Sequence, residues 1–433
     1  MERPTKLMNR NFFLLWQGQS VNQLGMQFFF IAVPLSIMEA TNSATLIGLI
    51  QMLASLPAVL LGPVGGAFAD RYARRTILVV GDAISGLAIL SLVVLTFLAP
   101  QARQLILIWL CVVYVLGAVV AAFFNPAISA AIPDLVPEAR VSTANSLNQL
   151  SIQLAVFVGQ GLGGVLFRLV GAPVLFLING LTYLFASASE SLITIPQVMQ
   201  RTGGERKGRF REFGSDILAG LRYIWSRPGL RELVFVSALL SFFTWPILVL
   251  LPFYVRDFLG ATEDWFGYLS AAYGVGMLAG YLAAGAIPFT GKARGRLMVA
   301  VIIAQSAGYG LLGLVREPMM ALMLALVGGG MGGMVTVTIT TIIQTTTPGE
   351  IRGRVFGLLS TISSSLAPLA MGLAGIVADL TGKNIPLIYV TCGVIMGLLS
   401  ILVSLNRQFR DFLAFEQAGA VAQKIEQQPA SLH

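Results

Sequence analysis

Apolar stretches of about 20 residues recur along almost the whole chain, each long enough to cross a hydrocarbon layer roughly 30 Å thick as a helix. Punctuated by Pro, Gly and charged residues, they count as twelve, at roughly 12–40, 44–68, 76–99, 104–125, 146–170, 174–195, 231–256, 265–288, 297–315, 319–344, 355–379 and 386–406. With 56% hydrophobic and 11% charged residues and a mean hydropathy of +0.80, the 433-residue chain lacks the polar surface that a soluble globule requires. In lipid each segment must satisfy its own backbone N–H and C=O groups, so the expected fold is all-α and integral to the membrane. The first stretch follows a basic N-terminus, as in a signal peptide, but runs to Met38 without a small-residue cleavage site. It reads as a retained span.

The longest polar interval separates the sixth stretch from the seventh and divides the chain six plus six. The expected organisation is a first bundle over 1–195, a linker over 196–230, a second bundle over 231–406 and a tail over 407–433. Within the linker Ile217, Leu218, Leu221, Ile224 and Trp225 fall near one helical face, as in a helix lying on the membrane surface; a plain solvated linker is the competing reading. Charge sets the orientation. If the N-terminus is inside, only Arg103, Arg168, Arg256, Arg316 and Lys383 of the 28 Lys and Arg residues fall outside, which puts both termini in the cytoplasm.

The net charge of +8 does not point to nucleic acid, because the cations occupy gaps between apolar runs rather than a basic surface interleaved with aromatics. The one histidine is His433 and the two cysteines, Cys111 and Cys392, stand alone in separate apolar runs, so no metal or cofactor is expected. GGGMGG, Gly328 to Gly333, lacks the strand and the Lys/Ser of a phosphate loop and reads as close helix packing. Asp82 and Glu190 are the clear cases of acids set within apolar stretches. Intramembrane acids are costly and usually functional, so both are proton-coupling candidates. The alternatives are that Asp82 pairs with Arg74 or Arg75 and that Glu190, near the end of its span, snorkels to water. No clustered carboxylate pair is visible, which argues against enzyme chemistry.

The halves echo each other at a constant offset of 211 positions: Pro137/Pro348, Leu147/Leu358, Gly161/Gly372, Leu162/Leu373, Gly164/Gly375, Leu169/Leu380 and Gly171/Gly382. Duplicated six-helix halves are a transporter architecture with substrate held between them. On the first span Gln19, Gln23, Met26 and Phe30 recur at helical spacing as one stripe, a candidate cavity lining.

GGAFADRYARRTIL, Gly65 to Leu78, resembles the loop between the second and third helices of the major facilitator superfamily. Gly66 opens that pattern, Asp70 is its acid, Arg71, Arg74 and Arg75 are its basic positions and Leu78 closes it; Phe68 and Ala73 depart from it. NRNFFLLWQGQSVNQLG, SLPAVLLGPVGG and FFNPAISAAIPDLVPEARVSTANSL are similar to the macrolide-efflux and siderophore-exporter branch. The resemblance implies twelve helices in two pseudo-symmetric bundles and a conformational latch of Gly66, Asp70, Arg71, Arg74 and Arg75 closing on Arg354. It also adds Asn22, Tyr114, Phe242, Trp245, Met331 and Thr338 to the cavity, helix packing alone being the other role for each aromatic or Met. The fifth-helix glycine pattern survives as Gly159, Gly163 and Gly164 without its proline, and the antiporters' fourth-helix arginine is absent. Pro246 and Pro368 would add kinks.

The implied activity is secondary-active export of a lipophilic or amphipathic small molecule, a drug, macrolide or siderophore-like compound, by alternating access and proton antiport. The implied setting is a monomer among the lipids of a bacterial cytoplasmic (inner) membrane. Lipid flipping is the alternative within the same fold, and a membrane enzyme or passive channel the remote ones. No Walker-type motif supplies nucleotide energy.

Overall fold

The computed structural model describes residues 6–196, 218, 221–286, 291–347, 351 and, with interruptions, 355–413. Among these residues the chain is helical and holds no strand. The first half comprises α1 (Arg10–Thr41), α2 (Ala44–Arg71), α3 (Arg74–Leu98), α4 (Arg103–Leu135) and α5 (Val141–Ser191). The second comprises α6 (Pro228–Val249), α7 (Asp264–Ala286), α8 (Gly291–Leu312), α9 (Pro318–Thr346), α10 (Ala367–Leu380), α11 (Ile385–Leu405) and the short α12 (Arg407–Leu413). Ten helices among the described residues are long and apolar enough to cross a membrane. α5 runs 51 residues and leaves helical geometry at Gly171 (φ 77°), so it carries two spans end to end, and α10 is a shorter apolar helix. The inventory fits twelve crossings.

Gly382, the echo of Gly171, also has a positive φ, 63°. A side chain would be strained at either position. The offset of 211 therefore marks the same kind of turn in each half. Ala73, by contrast, has φ −60°, so replacing the pattern's glycine there costs the backbone nothing.

Local chemistry fixes where the helices begin. Asn9 caps α1 by accepting from the Phe12 N–H at 3.0 Å, and its Nδ2 donates to the Leu135 carbonyl at the end of α4 at 2.6 Å. Asn42 closes α1 in the left-handed region, and Ser43 caps α2, accepting from the Leu46 N–H at 3.1 Å. Pro246 lies inside α6 close to its end, before the short helix Leu251–Phe253 and the π-turn Tyr254–Phe258. Pro368 occupies the first turn of α10, just after a break in the helix at Leu366, where its missing N–H costs least.

Helices in lipid associate by close packing rather than by escape from water. In the first half α1 packs on both parts of α5, α3 on its second part, and α1, α2 and α3 on α4; in the second, α7 packs on α9, α8 on α9 and α11, and α10 and α11 on α6. GGGMGG serves this packing: a Cβ on Gly329 would lie 2.0 Å from the Tyr273 carbonyl oxygen, and one on Gly333 2.3 Å from that of Met277, so α7 and α9 touch backbone to backbone. Of the linker, residues 221–226 are helical; Ile224 is buried with Leu230, Leu233 and Met298, while Leu218 and Trp225 are exposed. Residues 197–217 and 414–433 lie outside the described ones. The two halves meet along two seams, α2 against α10 and the first part of α5 against α7.

Candidate functional site

Between the seams lies a cavity of about 370 Å³, within the range of small-molecule sites. Its wall on the first half is made by Phe30, Val33, Pro34 and Ile37 of α1, Gln51 of α2, Tyr114 of α4 and Gln153, Phe157 and Gln160 of α5. On the second half Trp245 of α6, Tyr254, Tyr273, Met277 and Tyr281 of α7, Tyr309 of α8 and Gly328 of α9 face it. Every described lining residue is apolar, aromatic, hydroxyl or amide; none carries a charge. A second opening, lined by Ser146, Gln149 and Leu150 and sharing Gln153, Phe157, Leu278 and Tyr281 with the cavity, leads from it toward the end of the molecule that bears the Arg71–Arg75 loop.

The opposite end is tied shut. Asp379, at the end of α10, accepts from Ser43 Oγ at 3.0 Å, from the Ala44 N–H at 3.2 Å and from the Thr45 N–H at 2.8 Å, which places a carboxylate on the N-terminal turn of α2. On the other seam Arg168 Nε stands 2.9 Å from Asp264 Oδ1, at the N-terminus of α7. Arg256 donates to Asn42 across the same end. Glycine brings the backbones together: a Cβ on Gly48 would lie 2.4 Å from the Met371 carbonyl oxygen, and one on Gly164 2.8 Å from that of Glu263.

Of the residues expected to line the cavity, the structure brings Phe30, Tyr114 and Trp245 together around it. Asn22 is buried inside the first half, with no partner for its Oδ1 among the described residues. Gln23, Met26, Met331 and Thr338 are partly buried off the cavity wall, and Thr338 returns its hydroxyl to the Met334 carbonyl at 2.7 Å. Phe242 stacks edge-on against Phe243, their centroids 5.2 Å apart, instead of facing the cavity. Gly159 and Gly163 pack α5 on Gln27 and Ile31 of α1, and only Gly164 faces the other half. The amides Gln51, Gln153 and Gln160 were not singled out from the sequence, although Gln153, Phe157 and Gln160 share a helical spacing that would have flagged them.

Gln19 leaves the expected stripe altogether. It is buried, and its Nε2 donates to Glu190 Oε1 at 2.7 Å and to Asp82 Oδ2 at 3.2 Å. The two acids therefore form the clustered carboxylate pair that sequence spacing hid, each only 1% exposed. Neither alternative reading holds: Arg74 pairs with Asp134 and Arg75 donates to the Ser191 carbonyl, so Asp82 is not their partner, and Glu190 does not snorkel. The pair is housed where α1, α3 and the end of α5 meet, off the cavity wall.

The basic loop is anchored within its own half. Arg74 joins the Ala130 carbonyl at 3.0 Å as well as Asp134, tying the start of α3 to the end of α4, while Arg71 is exposed. A Cβ on Gly66 meets nothing within 4 Å in this conformation, whereas one on Gly65 would lie 2.1 Å from the Ala122 carbonyl oxygen. The Asp70 side chain and Arg354 lie outside the described residues.

The chain is 27% identical over 363 residues to the multidrug efflux pump Tap of Mycolicibacterium fortuitum, covering 82% of this chain and 86% of the relative. It is 25% identical over 376 residues to macrolide efflux protein A of Streptococcus pyogenes, covering 86% and 90%. Its fold matches the crystal structure of a bacterial homolog to the human lysosomal transporter Spinster, in inward-facing and unoccupied conformation, with a TM-score of 0.68 at 16% identity over 96% of this chain and 100% of that one. Two helical halves enclosing an uncharged cavity are the architecture of a membrane transporter, and the family model that matches residues 15–371 gives it a name: the chain belongs to the Major Facilitator Superfamily.

Proposed function

We propose that this transporter is a secondary-active exporter of lipophilic or amphipathic small molecules, driven by protons moving the opposite way, with both termini in the cytoplasm. The observation that carries the reading is the cavity, ring-lined and uncharged, shut at one end by a few polar ties and continuous with an opening at the other. Apolar and aromatic walls with sparse amides suit bulky drug-like molecules better than sugars or phosphates. Two relatives named as efflux pumps support the same substrate class. Lys and Arg loop asymmetry puts the Arg71–Arg75 end in the cytoplasm, so the conformation described here faces inward.

Alternating access then requires the α2–α10 and α5–α7 seams to part while the cytoplasmic ends close. Asp70 and the basic loop, meeting the second half near Arg354, supply the latch of that second state. Asp82 and Glu190 carry the proton. Because they lie off the cavity wall, coupling runs through α1, which holds Gln19 near one end and lines the cavity with Phe30, Val33 and Ile37 further along.

Purified protein in proteoliposomes, given an imposed pH gradient and a panel of drugs alongside headgroup-labelled lysophospholipid, tests the reading. Drug accumulation that collapses when the gradient is dissipated supports it. Lipid movement without drug movement establishes a flippase, and transport indifferent to the gradient removes the coupling.

A further inference from the structure

The cavity wall on the second half holds a polar cluster of its own, apart from the amides of the first half. The Tyr273 and Tyr309 hydroxyls stand 3.4 Å apart across α7 and α8. Gln305, one turn before Tyr309, reaches the Tyr309 hydroxyl oxygen through Nε2 at 3.4 Å and the Gly328 carbonyl of α9 at 3.4 Å. The site is shaped for these groups: a Cβ on Gly332 would lie 3.0 Å from Gln305 Nε2 and 3.3 Å from the Tyr273 hydroxyl. Tyr273, Tyr309 and Gly328 all face the cavity.

These contacts lie beyond the usual hydrogen-bond distances, so each is weakly made and surrendered at little cost. Gln305 occupies a lone pair of the Tyr309 oxygen, and Thr244 of α6 also meets that hydroxyl, so the phenol's proton turns to Thr244 or Tyr273 until a better acceptor arrives. A phenol in an apolar chamber gains a full hydrogen bond when an acceptor oxygen replaces so long a contact. A charged ligand gains less. No described lining residue offers a counter-charge, and desolvating an ion costs more than aromatic faces return to a buried cation.

We propose that Tyr273 and Tyr309, oriented by Gln305, form a subsite that reads a carbonyl or ether oxygen on an uncharged, ring-bearing substrate. This rests on the cavity being the ligand site and deepens the efflux reading by naming the substrate's chemistry. Gln305 is a positioning residue, acting through Tyr309.

Three probes of one size class separate the possibilities: 2-propionylnaphthalene, 2-propylnaphthalene and (2-naphthylmethyl)trimethylammonium. Their binding to the purified full chain in nanodiscs is read by naphthalene fluorescence polarisation, with no gradient present. Tyr273→Phe and Tyr309→Phe should each weaken the ketone about three- to tenfold and leave the propyl analogue unchanged, and Gln305→Met should do the same if either phenylalanine variant fails to fold. The quaternary ammonium should bind the parent protein more weakly than the ketone. Equal losses for ketone and propyl analogue, no loss for either, or a quaternary ammonium bound as tightly as the ketone would overturn the proposal. Because binding is measured without transport, a failed coupling assay leaves this result standing, and intact efflux with an unaltered ketone preference sinks this inference alone.

Discussion

Arg168 and Asp379 stand 211 positions apart, the spacing that also relates Gly171 to Gly382, and each ties the end of its own span to the first turn of a helix in the other half. The chemistry is inverted between the two. Asp379 meets the bare N–H groups of α2 directly, whereas Arg168 meets an acid, Asp264, already placed on the N-terminus of α7. Both are non-covalent ties at the closed end.

Asp379→Ala should therefore shift the population toward the state open at this end. Bonds to a charged acceptor are worth about 1.5–3 kcal/mol in total effect, and Arg168, half exposed, contributes less. Spin-label distances across the α2–α10 seam in nanodiscs check it: an unchanged distribution in Asp379→Ala would show that the carboxylate holds nothing.

Gly48→Val tests the same seam by bulk. The added atoms would meet the Met371 carbonyl oxygen, already 2.4 Å from an ideal Cβ, which is backbone and cannot step aside. The expected result is a seam wedged apart, with Thr45→Cys gaining reactivity toward a membrane-impermeant maleimide while drug efflux falls.

The Asp82–Gln19–Glu190 cluster predicts a separation of binding from coupling. Glu190→Gln and Asp82→Asn should suppress gradient-driven efflux strongly, yet leave drug affinity within about twofold, because neither acid lines the cavity. Gln19→Leu should impair folding or coupling more than either, since it leaves two buried carboxylates facing each other without the amide that joins them. Equal loss of binding and efflux in Glu190→Gln would place the acid in the drug site instead.

Arg74 and Asp134 offer a stability test. Both are part-buried, so Asp134→Ala should lower the melting temperature in detergent, equivalent to about 1–3 kcal/mol for one charge-assisted hydrogen bond lost. Exchanging the two residues should recover part of that loss. A melting point unmoved by Asp134→Ala would mean the loop is held by other contacts.

The helical bundle and the motif loop were legible in the sequence because they depend on local quantities: the apolar length needed to span lipid and residues at short spacing from Gly65 to Leu78. Periodicity also found the wall residue Phe30. It misplaced Gln19, since a helical stripe says which residues share a face but not which neighbour that face meets. α1 turns part of its length to α3 and α5 and part to the cavity, and only packing makes that choice.

By itself, then, the amino-acid order determined the solvent, the helices and the duplicated plan, down to the positive-φ glycines at 171 and 382. Tertiary structure alone decided that Asp82 and Glu190, 108 positions apart, share one amide, that Arg74 belongs to Asp134, and that Asp379 reaches back to Ser43. The reason is physical. Hydropathy and helix period are sums over neighbouring residues, whereas a buried polar group finds its partner wherever the fold delivers one, at any separation along the chain.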